Sequence, residues 1–96
     1  MNISVKFKTV YERLDELCRK KLNKTEGGVE SYARYLTNFG DASSAEMAKR
    51  LKGYSLAIKE LGFENDIKIT KADLTWIISL YKRLISQKDP LTKYLR

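Results

Sequence analysis

Ninety-six residues, of which 43% are apolar, suffice for one packed core and leave no room for a second. Lys and Arg number 19 against 12 Asp and Glu, a net charge of +7, which favours anionic partners and also serves solubility. The chain has no histidine, which excludes imidazole-assisted catalysis and most transition-metal sites, and the lone Cys18 excludes an intrachain disulfide.

The first apolar pattern runs from about Ser4 to Asn23. Ile3, Phe7, Val10, Leu14 and Leu17 recur at spacings of four and three, with Tyr11 and Cys18 beside them, the signature of an amphipathic helix. Arg19, Lys20, Lys21 and Lys24 crowd its end, where cations complement the helix dipole. Thr25-Glu26-Gly27-Gly28 then predicts a turn. Val29, Tyr32, Ala33 and Leu36 mark a short second helix, and Gly40 is suited to the left-handed position that closes it. In Ser43-Ser44-Ala45-Glu46 the spacing predicts a capping box with Ser43 as the cap. A third helix follows, with Met47, Leu51, Tyr54, Ile58 and Leu61 on its inner stripe and Gly62 as its stop.

Phe63 to Ile69 reads as an extended linker whose isoleucines plug the core, because a lone strand has no partner for its backbone. Thr70 caps a fourth helix, with Asp73 in its first turn. Leu74, Ile77, Ile78, Tyr81, Leu84 and Ile85 give it the broadest apolar face, which points to a central position in the bundle. The helix is expected to end at Asp89-Pro90. Beyond it Leu91, Tyr94 and Leu95 share the face of one terminal turn, a candidate recognition element with Lys93 and Arg96 at its flanks. The expected architecture is a single all-α domain over residues 1–96, an antiparallel up-and-down four-helix bundle with a short C-terminal helical turn. Leu51, Ile58, Leu74, Ile77, Ile78, Tyr81 and Leu84 are its expected core.

Candidate chemistry is sparse. Cys18 lies beside an apolar stripe and near a helix C-terminus, whose dipole opposes a thiolate, so packing is its expected role. Glu12, Asp15 and Glu16 share part of one helix face but alternate with Arg13 and Arg19, as a solvated charged face does. Gly27-Gly28 lacks the Lys-Ser/Thr that a phosphate-binding loop needs. Residues 43–61 carry a fragment similar to a helix-turn-helix, but its glycine is one residue out of register and the apolar stripe continues through Gly53, so one long helix is expected. No enzyme activity, cofactor, metal or small-molecule substrate is expected. The signal that remains is basic: Lys49, Arg50 and Lys52 on the third helix, Lys82, Arg83 and Lys88 on and after the fourth, then Lys93, Tyr94 and Arg96. Cations with neighbouring tyrosines are the chemistry of partner binding, to a protein face or to nucleic acid. Met1 to Lys6 has no continuous apolar stretch, and Leu74 to Ile85 is interrupted and shorter than the ~20 residues of a membrane span. A water-soluble cytoplasmic protein able to touch the inner membrane surface is expected.

Met47, Arg50, Leu51 and Tyr54, then Asn65-Asp66-Ile67-Lys68-Ile69-Thr70, then Leu74, Ile77, Ile78 and Leu84 resemble the immunity proteins of pediocin-like bacteriocins over residues 47–85. That family consists of small, often basic, cytosolic four-helix bundles of Gram-positive bacteria. The resemblance implies a protein that protects its producer by binding, from inside, the complex of bacteriocin and sugar permease. Many members carry a longer C-terminal tail, in the region linked to bacteriocin recognition, than the six residues that follow Pro90 here. Two other classes fit the same residues: a small nucleic-acid-binding or accessory protein of a mobile element, and a protein inhibitor or antitoxin-like module.

Overall fold

A computed structural model describes residues 3–61, 69–89 and 92. It is an all-helical four-helix bundle with no strand among the described residues: α1 (Ile3–Leu22), α2 (Gly28–Asn38), α3 (Ala42–Leu61) and α4 (Lys71–Ile85). α1 contributes Phe7, Tyr11, Leu14 and Cys18 to the core. Their spacings of four, three and four keep them on one side of the helix. α2 adds Val29, Tyr32, Ala33 and Leu36. Thr37 meets Lys52 while Glu30 meets Ser55 and Lys59, so α2 and α3 run antiparallel. Phe7 meets Tyr54, and Tyr11 meets Ser55, so α1 and α3 run the same way across α2.

The helix ends follow local chemistry. α1 closes with Asn23 at φ 55° and the Lys24 N–H donating to the Arg19 carbonyl at 2.9 Å, and α4 closes with Gln87 at φ 59° and the Lys88 N–H donating to Arg83 at 2.9 Å. Both are left-handed caps that satisfy carbonyls of the last turn. α4 therefore stops at Ile85, short of the expected Asp89-Pro90. Gly40, at φ 79°, follows α2 as its spacing predicts. Thr70 caps α4 as expected, and Asp73, expected only as a favourable charge in the first turn, completes a capping box with it. At α3 the cap is Asp41, not Ser43: its carboxylate accepts from the Ser44 N–H at 3.3 Å and its carbonyl from Ala45. Ser43 is exposed inside the helix. α3 runs unbroken through Gly53, as a single long helix rather than a helix-turn-helix. Gly62 and most of the linker lie outside the described residues, while Ile69 packs against the core.

The inner faces differ from the expected ones in two helices. α3 buries Ser44, Ala48, Leu51, Ser55 and Ile58, with Met47 and Tyr54 at the edge. Two serines on the buried side obscure the apolar period that would have located it. α4 buries Ile77, Leu80 and Leu84. Leu74 and Tyr81 are half-buried against the core, Ile78 is half-buried outside the core cluster, and Ile85 is 56% exposed. α4 is not the central helix. It packs chiefly on α1 rather than along its predecessor α3, whereas α1 and α2 each pack on two neighbours. Among the described residues no helix is long and apolar enough to cross a membrane.

Candidate functional site

α1 and α2 are joined more closely than ordinary side-chain packing allows. Gly27 takes φ 63° and offers α2 no side-chain cap. The cap comes instead from α1: the Asp15 carboxylate accepts from the Val29 N–H at 2.9 Å and from Arg19 Nε at 3.0 Å. A carboxylate at a helix N-terminus satisfies a free amide and complements the dipole. Asp15 thus has a structural partner on α2 and is not part of a solvated face. Gly28 permits the approach. A Cβ there would stand 2.2 Å from the Asp15 carbonyl oxygen and 2.8 Å from the Arg19 nitrogen.

Below this junction a depression of about 600 Å³ opens between α1, α2 and α3, lined in part by Tyr11, Glu12, Glu30, Ser55 and Lys59. The Ser55 hydroxyl donates to Glu30 Oε1 at 3.0 Å, Lys59 pairs with the same carboxylate, and the Tyr11 phenol lies beside Ser55. Lys59 and Ser55 hold the Glu30 carboxyl below its ordinary range, and burial pushes the Tyr11 phenol up to about 12. A carboxylate of lowered basicity is a poor general base, and the contacts of Glu30 with Ser55 and Lys59 tie α2 to α3.

Cys18 is buried, and desolvation raises its thiol further from ionisation, so packing is its role as expected. Among the described residues no group of three or more metal-ligating side chains comes together, and no buried side-chain polar atom lacks a partner.

α4 is held by polar contacts near each end. At its start Tyr54 donates to Asp73 Oδ1 at 2.6 Å and Arg50 Nη2 donates to the same oxygen at 3.3 Å. The Arg50 guanidinium also lies 4.7 Å from the centre of the Trp76 ring, a cation–π contact. The Tyr54 hydroxyl, then the Thr70 amide, hold the Asp73 carboxyl below its ordinary range. Beyond the far end, the fully buried Asp89 accepts from the Tyr32 hydroxyl at 2.7 Å and from the Thr92 N–H at 3.2 Å. Lys21 at the end of α1 donates to the Thr92 hydroxyl at 3.0 Å. The end of α1 is thereby tied to the segment after α4, and Lys20 of α1 lines a shallow depression with Tyr81 of α4.

The predicted basic residues divide accordingly. Arg50 is engaged in the α3–α4 latch and is not a free surface cation. Lys49 and Lys52 are exposed on α3, and Lys52 reaches the Thr37 hydroxyl at 3.3 Å. Lys82 and Arg83 are exposed in the last turn of α4 and Lys88 beyond it, and the structure adds Lys20 from α1, which the sequence suggested only as a dipole partner, whereas the half-buried Lys21 is engaged by Thr92. Lys93, Tyr94 and Arg96 lie outside the described residues. On α4 and the segment to Asp89, both carboxylates are consumed by internal contacts: Asp73 by the latch, Asp89 by Tyr32 and Thr92. Lys71, Lys82, Arg83 and Lys88 face solvent. The exposed ionisable side chains of this segment are therefore all cationic. Glu16, across the α1–α4 seam, is paired with Lys20 at 3.5 Å.

No family model, curated protein or solved structure matches this chain.

Proposed function

We propose that this chain is a non-enzymatic binding protein that docks an anionic partner with a strip made of the outer face of α4 and the last turn of α1. The observation that carries the proposal is the sorting of charge just described: carboxylates turned inward, cations outward, along one helix. Exposed on one segment with no exposed carboxylate among its described residues, these cations make a field of one sign that attracts and orients an anionic surface. The bundle beneath is held by the Asp73 and Asp89 contacts, so the strip is presented on a rigid support.

The resemblance over residues 47–85 supplies a concrete setting. In it, the partner is the bacteriocin–permease complex at the inner face of the membrane, and the protein protects its producer. Such a fold hosts many functions, so the setting rests on the resemblance and not on the bundle itself. Two measurements test the proposal. On immobilised heparin, used as a polyanion, the protein is expected to elute at a salt concentration that falls sharply in the K82E/R83E/K88E variant. In bacteriocin-sensitive cells, the wild-type chain is expected to protect and the same variant to fail. Retention on heparin unaltered by the three reversals would overturn the docking strip. Retention altered as expected, without protection, would overturn the immunity setting alone.

A further inference from the structure

We infer that the anionic partner of this strip is a lipid surface, on which α4 lies lengthwise. The inference rests on the docking strip proposed above and commits it to one chemistry. Lys71, Ile78, Lys82 and Ile85 follow one another at spacings of seven, four and three, so they share one side of α4. The core residues Ile77, Leu80 and Leu84 occupy the opposite side. The outward side therefore carries two branched apolar residues among cations: Ile85 is 56% exposed, and Ile78 is half-buried without joining the core cluster.

That combination discriminates between partners. A phosphate backbone rewards cations but gains nothing from an exposed isoleucine with a half-buried one beside it, whereas the boundary between headgroups and acyl chains rewards both kinds of residue. Fifteen residues of α4 provide a strip about 22 Å long, and a strip free of exposed carboxylates meets no repulsion along it. The competing surface, the α2–α3 seam, also pairs an exposed apolar residue, Leu56 at 58%, with Arg34, Lys52 and Lys59. There, however, Glu30 sits in the same depression and holds Lys59, so its charge is mixed.

The test is sedimentation of the full-length chain with vesicles of phosphatidylcholine alone and of phosphatidylcholine mixed with phosphatidylserine. Binding is expected only to the mixed vesicles, and K71E/K82E, which reverses the two cations on that side, is expected to weaken it at least about tenfold, given roughly fivefold per cation at a membrane surface. I78S/I85S is expected to weaken vesicle binding about fivefold or more through lost apolar insertion, with heparin retention unchanged. Should I78S/I85S melt early, Ile85→Ser alone carries the measurement, because that side chain is mostly solvated already. Vesicle binding indifferent to the isoleucine variants would overturn the lipid inference. So would retention on heparin and duplex DNA with no binding to the mixed vesicles, an outcome that leaves the docking strip standing. Binding to none of the three would remove both.

Discussion

The three-helix unit α1–α2–α3 and the fourth helix hold their places by different balances of burial and polar contact. Within the unit, Phe7, Leu14, Tyr32, Leu36 and Leu51 are almost fully buried, and α1 meets α2 across a glycine. α4 offers a smaller buried face of Ile77, Leu80 and Leu84, supplemented by the Asp73 contacts at its start and the Asp89 contacts beyond its end. Burial is non-directional and strong in sum, whereas buried or half-buried polar contacts specify position. The comparison teaches why α4 can carry two outward isoleucines: polar contacts fix its orientation, so its apolar residues need not all face inward.

Substitutions can break or sharpen that contrast. The largest effect is expected in the three-helix unit. Phe7→Ala should cost about 3–5 kcal/mol in chemical denaturation, as a fully buried aromatic does, and a loss under about 1 kcal/mol would show that the site collapses freely. Gly28→Ala should cost about 3 kcal/mol, at the top of the usual overpacking range, because backbone rather than a flexible side chain blocks its methyl group. Asp89→Ala should come next, at about 1–3 kcal/mol, by leaving the buried Tyr32 hydroxyl without its acceptor. A melting curve unchanged by that variant would contradict the role given to the far-end latch.

The near-end latch has a pH signature. The folded Asp73 carboxyl titrates below its ordinary range, while an unfolded Asp titrates near 3.9. Its contribution is therefore fully present above the unfolded value and is lost as pH falls through the lower folded one. Asp73→Asn should flatten the acid limb of stability below about pH 4, measured by urea midpoints across pH. An acid limb identical to wild type would show that Asp73 is not a contributor. The smallest effect belongs to Ile85→Ala, expected within about 0.5 kcal/mol of wild type.

Much of the three-helix unit was legible in the amino-acid order. The stripes of α1 and α2, the turn at Gly27-Gly28, the left-handed Gly40 and the packing role of Cys18 all follow from spacing and local chemistry, as does the Thr70 cap of α4. The inner face of α3 was displaced because Ser44 and Ser55 are buried polar residues, and hydropathy counts them as solvent-facing. α4 was mistaken for the central helix because apolar residues cover more than half its circumference, so periodicity did not say which side faces inward. Leu80 and the ring of Trp76 were missed for that reason, and Ile78 was assigned to the core. Asp15 as the cap of α2, and Asp89 as the acceptor of Tyr32, depend on contacts between residues distant in the chain, which no local pattern encodes. Of the site, the cations at the end of α4 are legible in the sequence, but their approach to Lys20 is not. Arg50 reads as a surface cation because Asp73 and Trp76 reach it only through the fold.

The most direct test of the docking strip is a backbone amide NMR titration with a heparin oligosaccharide, which reports where an anion sits. Shifts concentrated in α4 and on to residue 88, and in the last turn of α1 and on to residue 24, with the amides around Arg34, Lys52 and Lys59 unmoved, are the result expected of the charge sorting described above. Shifts centred on the α2–α3 seam, with α4 unmoved, would contradict it.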